Sequence, residues 1–149
     1  MEPGNPSRWL PSLARLYRYW SGKRPPGGGL PRRADIDPLE MRAFMGHLLL
    51  LDLAEPLEDS RYRLFGTMLA GYFGTDLTGM RLKEIPAAHP DTILEEYRQA
   101  LELGDATLTR NRAKLGSSVR LYEKLMLPLA GPDGRIAGFL AAIYVVEED

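Results

Sequence analysis

The sequence predicts an α+β fold in which hairpin-connected strands make an antiparallel sheet covered by helices. Periodic segments fall in the order helix, linker, short helix, two strands, helical middle, three strands. The strands of each group are separated by short turn-like segments rather than by crossover helices, which makes them antiparallel neighbours. The last two strands are apolar on both faces: in "LYEKLMLPL" (121–129) Leu121, Leu125 and Leu127 oppose Tyr122 and Met126, and "FLAAIYVV" (139–146) is apolar or aromatic throughout. A sheet with one wet face shows polar residues on it. Both faces are therefore predicted to be covered, one by the helical middle, the other by the N-terminal helix or a second copy of the chain.

Each element has a local cause. Leu10, Leu13, Leu16, Tyr17 and Trp20 recur at spacings of three and four with Arg15 and Arg18 opposite, an amphipathic helix of about three turns. "SGKRPPGGGLPRR" (21–33) ends it and reads as a linker, because proline lacks the backbone donor and glycine raises the entropy cost. On this reading residues 1–34 are an appended arm and residues 35–149 a single domain. Asp37 as N-cap and Pro38 at the first helical position predict a short helix over 37–46. A strand over 47–53, a turn over 54–59 and a strand over 60–66 follow; alternation in the second places Tyr62 and Leu64 on one face and Arg61, Arg63 and Phe65 on the other. From 90 to 103, Ile93, Leu94, Tyr97, Ala100 and Leu101 form one stripe between Pro90 and Gly104, a helix with both stop signals. Strands are predicted over 107–114, 119–129 and 135–146, with "GPDG" (131–134) turning between the last two.

Composition excludes several chemistries. The 149 residues hold no cysteine, which removes disulfides, thiolate metal sites and thiol nucleophiles. His47 and His89 are the only histidines and stand at no metal-ligand spacing. Neither a membrane-length apolar run nor a secretory leader is read, so a cytoplasmic location is expected. Net charge is −1, but residues 1–34 carry +6 and the rest −7. Such a basic arm suits nucleic acid, a membrane, its own acidic domain or a second copy; the last two are the simpler reading.

"RYRLFGTMLAGYFGTDLTG" (61–79) holds Gly66, Gly71, Gly74 and Gly79. A phosphate-binding loop would need lysine and a hydroxyl where Tyr72 and Phe73 stand, and no G-x-G occurs. The glycines read instead as stops between a strand, a short helix over "TMLAGYFG" and another at "MRLKEI". With this succession the chain resembles the PAS domain family. "YWSGKRP" (19–25), "RADIDP" (33–38), "HLLLLDL" (47–53), "RYRLFGT" (61–67), "FGTDLTG" (73–79) and "LPLAGPDGRI" (127–136) resemble its bacterial subfamily of small, stand-alone proteins of unknown ligand. The resemblance implies a five-stranded sheet of order 2-1-5-4-3 with short helices on one face. It also implies a sensory, non-catalytic role through a small-molecule ligand or a signalling partner, and homodimerisation through the N-terminal helix. The cysteine of flavin photo-adducts is missing, and no stretch of these residues reads as a kinase, cyclase or DNA-binding domain, so a self-contained signalling enzyme is not expected.

Tyr62, Phe73, Tyr122, Met126 and Tyr144 are predicted to face the helices, as pocket lining or as core. Lys124 shares that face by alternation and must snorkel, pair with a carboxylate or hold an anion. Arg61 and Arg63, and Arg110, Arg112 and Lys114 on one face of the later strand, suit an acidic partner or an ion-paired surface. His89 and His47 are weak haem-ligand candidates. Two rival functions remain: an adaptor with a basic arm and no ligand, and a small cone-shaped α+β enzyme needing Asp52, His47 or Tyr144 to converge.

Overall fold

The computed structural model describes residues 10–85, 90–115 and 118–146. Helix α1 (Pro11–Gly22) leads through a 3₁₀ helix (Pro38–His47) to strands β1 (Leu48–Asp52) and β2 (Arg61–Phe65). Helix α2 (Thr67–Phe73), a 3₁₀ turn (Leu82–Glu84) and helix α3 (Pro90–Leu103) precede β3 (Thr107–Leu115), β4 (Ser118–Ala130) and β5 (Ile136–Val146). All pairings are antiparallel and the order is β2-β1-β5-β4-β3, as the family resemblance implies. Among the described residues no helix is long and apolar enough to cross a membrane.

The sheet is covered on both faces. On one, Leu13, Leu16 and Trp20 of α1 pack against Leu48, Leu50, Leu125, Leu127, Leu129, Leu140 and Ala142. On the other, α2 and α3 bring Leu69, Tyr97 and Ala100 against Leu49, Leu51, Tyr62, Met126, Phe139, Ala141 and Ile143. Alternation along β4 and β5 sorts these residues, and the doubly apolar pattern is satisfied within one chain.

α1 is thus no appendage. Leu13, Leu16 and Trp20 are completely buried, each worth about 2 kcal/mol of apolar transfer. Trp20 Nε1 donates to the carbonyl of Pro128 at 2.9 Å. Pro128 lies past the last β3 pairing (Thr107 with Met126), where its missing N–H disturbs no bond to β3. The predicted linker is also docked: Ala130 N donates to Pro31 O at 2.8 Å, and the Arg24 guanidinium lies 4.4 Å from the centre of the Trp20 ring.

The segment over Pro38–His47 begins as predicted, with Asp37 accepting from Leu39 N at 3.0 Å, but it is 3₁₀ with a kink at Met41 rather than a regular helix. β2 departs from simple alternation. Leu50 pairs with Leu64 and Leu51 with Tyr62, so Arg63 is the extra residue of a β-bulge. The bulge rotates Tyr62 and Phe65 together onto the α3 face and leaves Leu64 against the α1 cluster, whereas strict alternation puts Tyr62 and Leu64 on one face. Gly74 ends α2 with φ +84°, a left-handed stop as read from the sequence. Gly66 has an ordinary φ and a different reason: a Cβ there would sit 2.6 Å from Met45 O.

Candidate functional site

The polar groups buried beneath α3 are the part of the core that packing does not require. Lys124 projects from β4 onto this face, and its Nζ lies 3.0 Å from Glu96 Oε1 of α3, with side chains only 8% and 16% exposed. The ammonium also stands 5.2 Å from the Tyr97 ring centre. Burial pushes the Lys124 pKa down, but the charge of Glu96, the nearby Tyr62 and the hydrogen bond to Glu96 together push it up further, so the amine stays protonated. The Tyr62 and Tyr97 hydroxyls lie 3.2 Å apart, fully enclosed. Burial drives both their pKa values up; the charge of Tyr97 and of Glu96 adds to the shift at Tyr62, while Lys124 opposes it. Thr109 pairs with Lys124 across β3 and β4, so its side chain shares the face, and its buried hydroxyl has no hydrogen-bond partner among the described residues.

Around these polar groups the walls are aromatic. Tyr97 and Phe139 rings lie 5.6 Å apart, Tyr62 and Phe65 5.5 Å, and Phe73 meets Phe65 edge-on at 5.7 Å. Tyr62, Phe73, Tyr122, Lys124 and Met126 therefore share one side of the sheet, as predicted. Tyr144 does not. β5 turns Phe139, Ala141 and Ile143 toward α3, so strict alternation turns Tyr144 toward α1, where its ring stacks on His47 at 3.9 Å and its hydroxyl meets Ser12. Sequence reasoning missed Glu96 and Thr109. The helical stripe includes Tyr97, which puts Glu96 at its edge, but only the fold brings Glu96 to Lys124.

The arginines have local partners. Arg61 bonds the carbonyl of Gly79, Arg63 reaches Asp52 Oδ2 at 2.6 Å, and Arg110 reaches the buried Glu123 at 3.1 Å. Asp52 also meets Arg33 at 3.4 Å, at the far end of β1 from His47. His47 Nδ1 lies 3.1 Å from the Ile143 carbonyl, which can only accept, so the proton is on Nδ1. Asp52, His47 and Tyr144 therefore do not converge on one site. Among the described residues no His, Asp or Glu cluster could hold a metal ion, and His89 lies outside them.

The fold is similar to several solved structures. A light-oxygen-voltage domain studied with a flavin analogue superposes with a TM-score of 0.57 at 16% identity, covering 77% of this chain and 88% of that one. VqmA of Vibrio cholerae, solved as a dimer, gives 0.55 at 14% identity over 75% of this chain and 52% of that one. A PAS domain from Colwellia psychrerythraea gives 0.51 at 15% identity over 74% and 98%. At such identities the likeness concerns the fold alone. No curated protein matches the sequence. The PAS domain profile, however, matches residues 9–143, a span that takes in α1 as well as the sheet. With that match and the strand order agreeing, the chain belongs to the PAS domain family.

Proposed function

We propose that the chain is a non-catalytic sensory or regulatory domain that binds a small ligand beneath α3, or a protein partner, and acts as a homodimer. The observation that carries the ligand half is the Lys124–Glu96 pair beside the Tyr62 and Tyr97 hydroxyls and the unpartnered Thr109. Buried ion pairs rarely improve on apolar packing, so their placement under one helix favours a use beyond stability. A ligand oxygen accepting from Lys124 or Thr109 would compete with Glu96, and Glu96 is carried by α3. Occupancy would then be felt as a change in how α3 sits on the sheet, the kind of signal a regulatory domain passes on. VqmA, of similar fold, has been solved bound to DPO.

The homodimer cannot use the apolar stripe of α1, because Leu13, Leu16 and Trp20 are buried in their own chain and Leu10 and Tyr17 pack beside them. The enzyme reading loses support because Asp52 stands at the far end of β1 from the stacked His47 and Tyr144. Native mass spectrometry of freshly purified protein is the test, since it reports subunit number and retained small molecules together. A retained molecule lost on Lys124→Met supports the reading. A bare monomer, with no molecule recovered from either protein, sinks both the ligand and the dimer halves.

A further inference from the structure

The two edges of the sheet are unlike. The outer side of β2 is closed: Tyr62 N donates to Met80 O at 3.1 Å, Gly79 N to Tyr62 O at 2.8 Å, and Arg61 bridges Arg81. β3 ends the sheet on the other side, and among the described residues nothing pairs with its outer edge. Charge marks the same strand. Between Asp105 and Glu123 the chain carries Arg110, Arg112, Lys114 and Arg120 with no Asp or Glu, although residues 35–149 as a whole are acidic. Arg110 and Arg112 occupy alternate positions and so share the sheet face that α1 covers further along. Arg110 is 59% exposed even while it bonds Glu123. Arg112, Leu121 and Val146 form one row across β3, β4 and β5, next to Val119, which is 69% exposed.

We propose that the outer edge of β3 is a docking site for an extended acidic segment of a partner protein, added as a further strand with carboxylates beside Arg110 and Arg112. Main-chain bonds to an open edge supply affinity and alternate side chains supply specificity. In an extended segment every second residue falls on one face, so acidic residues at that period all meet the arginine side. A second copy of this chain is the wrong occupant. Two β3 edges pairing about a two-fold axis would bring the arginines of one close to those of the other, and like charges across strands destabilise. Cations on an edge strand also discourage such self-pairing. The inference rests on the partner-binding half of the regulatory reading and is independent of any ligand beneath α3.

The test titrates the full chain, isotope-labelled, with a short capped peptide alternating glutamate and valine. The expected result is amide shifts and exchange protection concentrated in Thr107–Leu115, with affinity that falls as salt rises. A lysine–valine peptide should not bind, nor should the glutamate peptide N-methylated at alternate residues, which keeps its charge and loses its strand edge. Arg112→Glu should weaken binding about tenfold. Arg120→Glu, exposed on the opposite face, should leave it unchanged. Equal binding by the N-methylated peptide, equal loss in both arginine variants, or shifts outside β3 would overturn strand addition. No binding by the glutamate peptide would overturn the docking site while leaving the ligand reading, and its mass-spectrometric test, intact.

Discussion

A lysine with 8% of its side chain exposed keeps its charge chiefly through Glu96, 3.0 Å away, which makes the pair unequal to the sum of its halves. Lys124→Met leaves a largely buried carboxylate without its cation and should cost about 3 kcal/mol, read as a lowered urea midpoint. The double variant Lys124→Met, Glu96→Leu removes both charges and should recover most of that loss. A double variant as unstable as the single one would show that the pair is not the source. The tyrosine pair sets the alkaline limit. Both hydroxyls titrate higher in the folded chain than in the unfolded one, so they contribute full stability below the ordinary tyrosine range. That stability is lost as pH rises above about 10, where the unfolded chain gives up its protons first. Tyrosinate absorbance should therefore rise together with loss of helical dichroism, and Tyr62→Phe should move that joint transition.

At the level of elements, the two glycines flanking the turn into α2 and lying within it predict opposite outcomes. Gly71 lies inside α2 with open space where a Cβ would go, so Gly71→Ala should stabilise by about 0.5–1 kcal/mol in thermal melts. Gly66→Ala drives a methyl into the backbone of Gly46 and Met45 and should destabilise by at least about 2 kcal/mol. Strand and helix boundaries were legible because their signals are local: Pro90 and Gly104 bracket α3, and the turn before β5 closes with Gly134 N on Gly131 O at 3.0 Å. What was not legible depends on partners. The Arg63 bulge is a property of β1 and β2 together and flips Leu64 to the other face. Tyr144 lies in a strand apolar on both sides, with no polar neighbour to say which side is which. Glu96 looks like any solvent-facing residue of an amphipathic helix until the fold sets it beside Lys124.

For the whole molecule, the two-sided core means that neither layer of helices is dispensable. A chain beginning after Gly22 would bare Leu48, Leu50, Leu125, Leu127 and Leu140 to water. It should bind hydrophobic dyes and lose its cooperative melt, whereas an unchanged sharp melt would mean that α1 adds little. That α1 covers its own sheet was one of two outcomes the pattern allowed, because an apolar face records the need for a cover and not its source. The bond from Trp20 to Pro128 also gives the protein an optical property. Trp9 and Trp20 are its only tryptophans, and Trp20 is buried against β4 under the Arg24 guanidinium. With Trp9→Phe, emission comes from one indole whose colour follows the seating of α1: blue while the helix lies on the sheet, red as soon as it lifts. Any ligand or partner that moves α1 will therefore announce itself in fluorescence without an added label.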